Sequence, residues 1–173
     1  MIKPSDSIMT PPSGSIPKAP ELQFAFEVRA TIAPPLDLGV TLAGHRRVIP
    51  ITGGNFAGTA PDGVPFSGRV VPGGADTQIV HPDGGADLEA RYVLETNQGG
   101  LVHVLNRGIR RGDPEILARL NAGEKIDPAA IYFRSAASFE TSAPEAVWLT
   151  RAIFVGTGER YPDGVIIRFF RVG

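Results

Sequence analysis

The sequence predicts an antiparallel up-and-down β-barrel of about nine or ten strands, lipocalin-like, with one short helix. Three observations carry this. Glycine (21) and proline (16) together make up about a fifth of the 173 residues, against roughly a tenth in an average chain, and both weaken helix interiors. Apolar and polar residues alternate in short runs. Those runs are separated by Asp-Gly and Gly-Gly pairs, which supply the positive φ that tight hairpin turns need. A meander of that many strands tends to curl and close, because closure removes exposed edges. A two-sheet β-sandwich is the alternative.

The elements follow in order. Residues 1–20 hold five prolines and four serines without periodicity and read as a flexible tail; residues 21–173 form a single domain. Leu22, Phe24, Phe26, Val28, Ala30 and Ile32 then recur at every second position up to Pro34 and Pro35, the mark of a strand with one buried face. Further strands are expected over Arg46–Thr52, Phe56–Thr59, Phe66–Val71, Ala75–His81, Leu88–Thr96 and Leu101–Arg107. Three more span Ile131–Thr141, Val147–Val155 and Val165–Val172. Turn residues sit at Asp62-Gly63, Asp83-Gly84-Gly85, Asn97 to Gly100 and Asp163-Gly164. The single helix starts at Asp113, a capping residue, continues through Pro114 and Glu115, which suit the first turn, and ends near Gly123.

Composition excludes several function classes. Hydrophobic residues are 42% of the chain, enough apolar surface to fold. A net charge of −1 recruits neither nucleic acid nor an anionic membrane. The absence of cysteine removes disulfides, thiolate catalysis and cysteine-bound metal centres, and fits a cytoplasmic protein. No apolar run approaches the length of a spanning helix.

No recognised motif supplies a cofactor or a nucleophile. Gly53 to Gly74 is rich in glycine but lacks the Lys-Ser/Thr of a phosphate loop. Gly156 and Gly158 are followed by Glu159-Arg160-Tyr161-Pro162-Asp163, which reads as a turn rather than a helix, so a dinucleotide loop is not expected. His45, His81 and His103 show no metal-ligand spacing, and no metal or cofactor is expected. His103, between Val102 and Val104, is a candidate cavity residue. The glycines of Gly53 to Gly74 are instead expected at bends and bulges at barrel corners or at close backbone approaches.

The informative residues are charges inside apolar strands. Arg91 interrupts Leu88–Leu94. Tyr132, Arg134, Ser138 and Glu140 share one strand parity, and Asp76 and Gln78 share another. Trp148 lies between Val147 and Leu149. Projected into a barrel, Asp76 or Glu140 would move a proton, Arg91 and Arg134 would hold an anion, and Trp148, Tyr132, Gln78 and His103 would contact a ligand. Outward-facing charges on a solvated wall are the competing interpretation.

The blocks Gly44–Gly58 (GHRRVIPITGGNFAG), Gly68–Asp76 (GRVVPGGAD) and Asp87–Tyr92 (DLEARY), with Tyr132–Arg134, Phe139–Thr141 and Trp148–Leu149 in order, resemble a widespread family. It is a domain of unknown function, numbered thirty-two thirty-seven. The resemblance spans residues 21–172. It implies an antiparallel β-barrel. It also implies kinship with a fungal cyclase that adds a phenolic oxygen across a prenyl alkene without a redox cofactor.

Three functional readings stay open. The first is a cofactor-independent small-molecule enzyme of cyclase, isomerase or lyase type, acting on a small hydrophobic or aromatic metabolite. The second is a non-catalytic small-molecule-binding barrel. The third is a structural module with a filled lumen, in which a homodimer would be ordinary.

Overall fold

The computed structural model describes residues 18–173; residues 1–17 of the expected tail lie outside the described residues. Nine strands form one antiparallel sheet among the described residues. They are β1 (Leu22–Ile32), β2 (Leu36–Thr41), β3 (Gly44–Thr59), β4 (Pro65–Val80), β5 (Ala86–Thr96), β6 (Leu101–Gly112), β7 (Ile131–Glu140), β8 (Phe154–Tyr161) and β9 (Gly164–Val172). The spatial order is β1-β9-β8-β7-β6-β5-β4-β3-β2, and β1 also pairs with β3. That pairing, from Phe26 opposite Gly58 to Ile32 opposite Ile51, closes an eight-stranded barrel. Strand β2 hangs on the far end of β3 as a ninth. No helix among the described residues is long and apolar enough to cross a membrane.

The barrel bends where the chain carries glycine. Arg46–Thr52 and Phe56–Thr59 join into the single strand β3 across an irregularity between Ile51 and Asn55. Phe66–Val71 and Ala75–His81 likewise join into β4, with a register shift between Val71 and Ala75. A bulge absorbs an extra residue and sharpens local twist, so each long strand can turn a corner without ending. Gly54 shows why a side chain is excluded: its φ is +129°, and a Cβ there would stand 2.1 Å from the Arg29 carbonyl oxygen.

Register shifts also redirect side chains. In β1 a shift between Phe24 and Phe26 turns Ala25 and Phe26 inward and leaves Leu22 and Phe24 exposed. Phe24 instead packs edge-on against Phe170, with ring centroids 5.8 Å apart. The uniform alternation in this segment therefore buries only its second half.

No strand is expected over Leu36–Thr41, which forms β2, and two further segments differ from the sequence expectation. Val147–Val155 is mostly a 3-10 segment, Pro144–Arg151, before β8 begins at Phe154. Its Ala146 and Leu149 are buried, and its Trp148 ring stands 5.3 Å from Phe66 and 5.8 Å from Phe154. The segment plugs one end of the barrel. The stretch after Gly158, expected to be a turn, continues β8 to Tyr161 against β9. A Cβ at Gly158 would come within 2.4 Å of the Phe133 ring, so this glycine serves the packing of strand on strand.

The helix forms where capping chemistry places it. Helix α1 (Pro114–Asn121) has the Asp113 carboxylate accepting from the backbone N–H groups of Glu115 (2.9 Å) and Ile116 (3.4 Å). Leu117 and Leu120 pack with Ile126 in a small separate cluster. The helix lies beside the barrel end opposite the 3-10 plug, and its Asn121 reaches the barrel mouth.

Candidate functional site

The interior divides by size of side chain. Around the plug, Phe26, Phe56, Phe66, Phe139, Phe154 and Phe169 fill the lumen, with Phe26 touching five aromatic neighbours at 5.0–6.4 Å. Toward the other end small and polar residues, Ala30, Ala90, Gly108, Asp76, Gln78, Asn106 and Ser135, interrupt an otherwise apolar wall that includes Ile51, Leu88, Phe133 and Ile167. A cavity of about 60 Å³ opens among them, room for about four waters or a few heavy atoms of a ligand. It meets a wider mouth of about 420 Å³ at Ile32, Ile49, Arg110 and Arg160, which line both.

The polar groups of this cavity are under-satisfied. Among the described residues, six buried side-chain polar atoms have no hydrogen-bond partner: Arg47 Nε, Asp76 Oδ1, Tyr92 Oη, Asn106 Oδ1, Arg110 Nε and Ser135 Oγ. Every one belongs to a residue lining the cavity or its mouth. Buried polar atoms are nearly always paired, and each exception calls for an occupant. Water or a polar ligand supplies that pairing.

Asp76 is the acidic group. Its Oδ2 accepts from Gln78 Nε2 at 2.6 Å, while Oδ1 is left to the cavity. Burial raises its pKa above the ordinary carboxylate value, only partly offset by the Gln78 hydrogen bond and the Arg110 charge. Arg110, at 2% exposure, is pushed down to about 10 by burial and by the neighbouring charges of Arg47 and Arg160; it stays cationic at neutral pH. Arg160 is lowered by burial and by the Arg47 charge, against the opposing charges of Asp76 and Asp163. Tyr92 is raised by burial alone, so it enters any chemistry as a neutral hydroxyl.

Helix α1 supports the arginines. Asn121 Oδ1 accepts from Arg47 Nη2 and from Arg110 Nη2, each at 3.2 Å. Arg47 Nη2 also reaches Gln78 Oε1 at 3.4 Å, and Arg160 Nη1 donates to the Gly164 carbonyl at 3.3 Å.

Of the residues singled out in the sequence, Asp76 and Gln78 line the cavity. The others lie elsewhere. Arg91 is on the outer wall, bonded to Glu89 at 2.9 Å, because Leu88, Ala90, Tyr92 and Leu94 take the inward parity of β5. Arg134, Tyr132 and Glu140 do share a face, but it is the outer one: Phe133, Ser135 and Phe139 point inward. Arg134 lies over the Tyr132 ring at 5.1 Å. His103 is exposed on β6. Trp148 sits in the plug, its Nε1 donating to the Glu145 carbonyl. His45 and His81 pair with Asp37 and Asp87 outside the barrel, and no metal-holding group of His, Asp or Glu occurs among the described residues.

Arg110, Arg160, Asn106 and Ser135 are the lumen residues that sequence reasoning missed. For Arg110 the signal existed: Val102, Val104, Asn106, Gly108 and Arg110 share one parity in β6. Arg160 gave none, because Gly158 and Pro162 disguise the end of β8 as a turn.

A family model described as "Protein of unknown function" matches residues 20–172. A relative from Rhodopseudomonas palustris (strain TIE-1), named only as a UPF0311 protein, is 41% identical over 152 residues, covering 88% of this chain and 96% of its own. A crystal structure of a conserved protein of unknown function from the same species matches with a TM-score of 0.83 at 40% identity, covering 91% of this chain and all of the other. A structure of a beta-barrel like protein from Acinetobacter baumannii matches at 0.78 and 36% identity, covering 92% of this chain and all of that one. A structure of an enzyme from Penicillium herquei shares the fold at 0.65 and 21% identity, covering 92% and 99%.

Proposed function

The chain belongs to the DUF3237 family of proteins of unknown function, and for it we propose a small-molecule site in the barrel lumen at which Asp76 transfers a proton. The observation that carries this reading is the free Asp76 Oδ1, buried without a protein partner in a cavity with four further such polar atoms and a fifth, Arg47 Nε, at its mouth. Burial biases the Asp76 carboxyl toward its protonated form, and a carboxyl so biased can give a proton as the acid and take one back as the carboxylate. Gln78 holds Oδ2 and so fixes which oxygen faces the substrate. Ile51, Phe133 and Ile167 offer apolar walls to the substrate body. Negative charge developing on a substrate oxygen faces Arg110, whose low-dielectric surroundings strengthen the interaction. Cyclisation, isomerisation and elimination all reduce to such a proton transfer. The Penicillium herquei neighbour speaks for the fold alone.

Solvent-exchange labelling tests the reading without knowledge of the substrate. A panel of small enolisable ketones and phenols is incubated with the protein in D₂O, and carbon-bound deuterium is read by mass spectrometry. Catalysed exchange on at least one compound is expected, with a loss of about 100-fold or more in Asp76→Asn, the range of a general acid–base contribution. Ligands that bind in the lumen of both proteins without any exchange would instead mark a binding barrel.

A further inference from the structure

Three arginines stand at the mouth of the lumen without a carboxylate partner. Arg47, Arg110 and Arg160 line the mouth together, and none makes an ion pair within 4.0 Å among the described residues. On the outer wall Arg29, Arg69, Arg91, Arg107, Arg111 and Arg168 each pair with an acidic side chain, and unpaired arginines such as Arg134 and Arg151 are open to solvent, whereas Arg110 is buried. Burial first, and the neighbouring guanidinium charges second, lower the pKa values of Arg110 and Arg160. The Nε–H groups of Arg110 and Arg47 are buried and unbonded. Arg110 is nearly inaccessible, so its unused donor cannot be assigned to bulk water. Two acids stand near, Asp76 in the cavity and Asp163 at the mouth, but neither comes within ion-pair distance of the three arginines, and Asp76 bonds Gln78 through Oδ2 and is biased toward the neutral form by burial.

We propose that the mouth is an anion site, and that the ligand of this barrel is a small organic acid whose carboxylate is held by Arg47, Arg110 and Arg160 while its apolar body enters the lumen. The inference rests on the luminal-site reading and names its ligand class. A planar carboxylate offers several acceptor directions to the forked donors of arginine. The lining just below the guanidinium groups is apolar, with Ile32 and Ile49 at the neck and Ala30, Ile51 and Val165 deeper. That arrangement fits an acid with a hydrocarbon or aromatic body better than a bare inorganic anion. The chemistry is also coherent with Asp76: fixing the substrate at one charged end sets which of its atoms meets Oδ1.

The test uses the full ¹⁵N-labelled chain and four probes: acetate, benzoate, benzamide and inorganic phosphate. The arginine Nε–Hε signals report the mouth, and the backbone amides of Ala30, Ala90 and Ile167 report the lumen. Benzoate is expected to shift both sets saturably. Benzamide, its neutral isostere, binds at least tenfold more weakly, and acetate moves the arginine signals alone. Arg47→Gln and Arg160→Gln, each checked for an intact fold by its spectrum, weaken benzoate about tenfold, as loss of one charge-assisted bond predicts, and leave benzamide unchanged. Shifts confined to the arginines with every probe would support the anion site while removing the luminal reading. Equal binding of benzoate and benzamide in the lumen would overturn the anion inference and leave that reading standing. Absence of any saturable arginine shift with acetate, benzoate and phosphate would overturn it outright, and phosphate binding tighter than benzoate would overturn the organic-acid assignment.

Discussion

The two halves of the barrel interior are built on opposite principles. At the plugged end, seven aromatic rings interlock with Phe26 at their centre, and the one buried polar side chain there among the described residues, Thr96, is hydrogen-bonded to Glu145. At the open end, small residues leave space, and every unpaired buried polar atom among the described residues collects around that space. The same eight strands run through both halves, so the contrast is made by side chains alone. Dense packing stabilises, whereas burying the ionisable groups Asp76 and Arg110 disfavours their charged forms and costs stability. The plugged half therefore carries the fold, and the open half holds chemistry that destabilises it. Proteins tolerate such a local conflict at functional sites.

If that division is right, the largest effect on stability comes from the closed end. Phe26→Ala removes the ring at the centre of the aromatic cluster, where the residue has no solvent exposure. A buried Phe→Ala change costs about 3–5 kcal/mol. In a chain of this size each kcal/mol lowers Tm by roughly 2–4 °C, so calorimetry should show a fall of roughly 10 °C or more. A fall below roughly 3 °C would mean that the plugged half is not the stabilising one.

A change of opposite sign is expected at the open end. Burial raises the Asp76 pKa in the folded protein above its ordinary value of 3.8. Below that ordinary value both folded and unfolded states hold the proton, and Asp76 costs nothing. As pH rises toward the folded value, the unfolded state ionises first and stability is lost. Asp76→Asn keeps an acceptor for Gln78 and removes the charge. Its Tm should therefore exceed that of the parent at pH 7, with the gap closing near pH 3. A gap between variant and parent no larger at pH 7 than at pH 3 would remove the argument that Asp76 is strained for function.

How far the sequence led can be traced through individual residues. Barrel closure, the hairpin turns and the Asp113 cap are local chemistry, and each was legible. Asp76 and Gln78 were legible as sharing a face. Which face a strand buries was legible too, but the embedded charges were the misleading guide: Arg91 and Arg134 drew attention, while Leu88, Tyr92, Phe133 and Phe139 on the other parity marked the true interior. The bulges at Ala25, between Ile51 and Asn55, and between Val71 and Ala75 were not legible as parity switches, because a bulge is decided by how two strands meet. The meeting of Arg47, Arg110 and Arg160 from β3, β6 and β8 needed the closed barrel itself.

The smallest effect belongs to the outer wall and sharpens the contrast between paired and unpaired arginines. Arg91 bonds Glu89, which Arg107 also holds at 2.8 Å. Both arginines are exposed, and an exposed pair contributes only about 0–1 kcal/mol. Arg91→Gln should shift Tm by no more than roughly 2 °C and leave benzoate affinity unchanged within twofold, while Arg160→Gln loses about tenfold. If Arg91→Gln weakened benzoate as much as Arg160→Gln does, the distinction between a solvated outer wall and an anion-holding mouth would fail, since the two arginines would then be acting through general positive charge rather than through position.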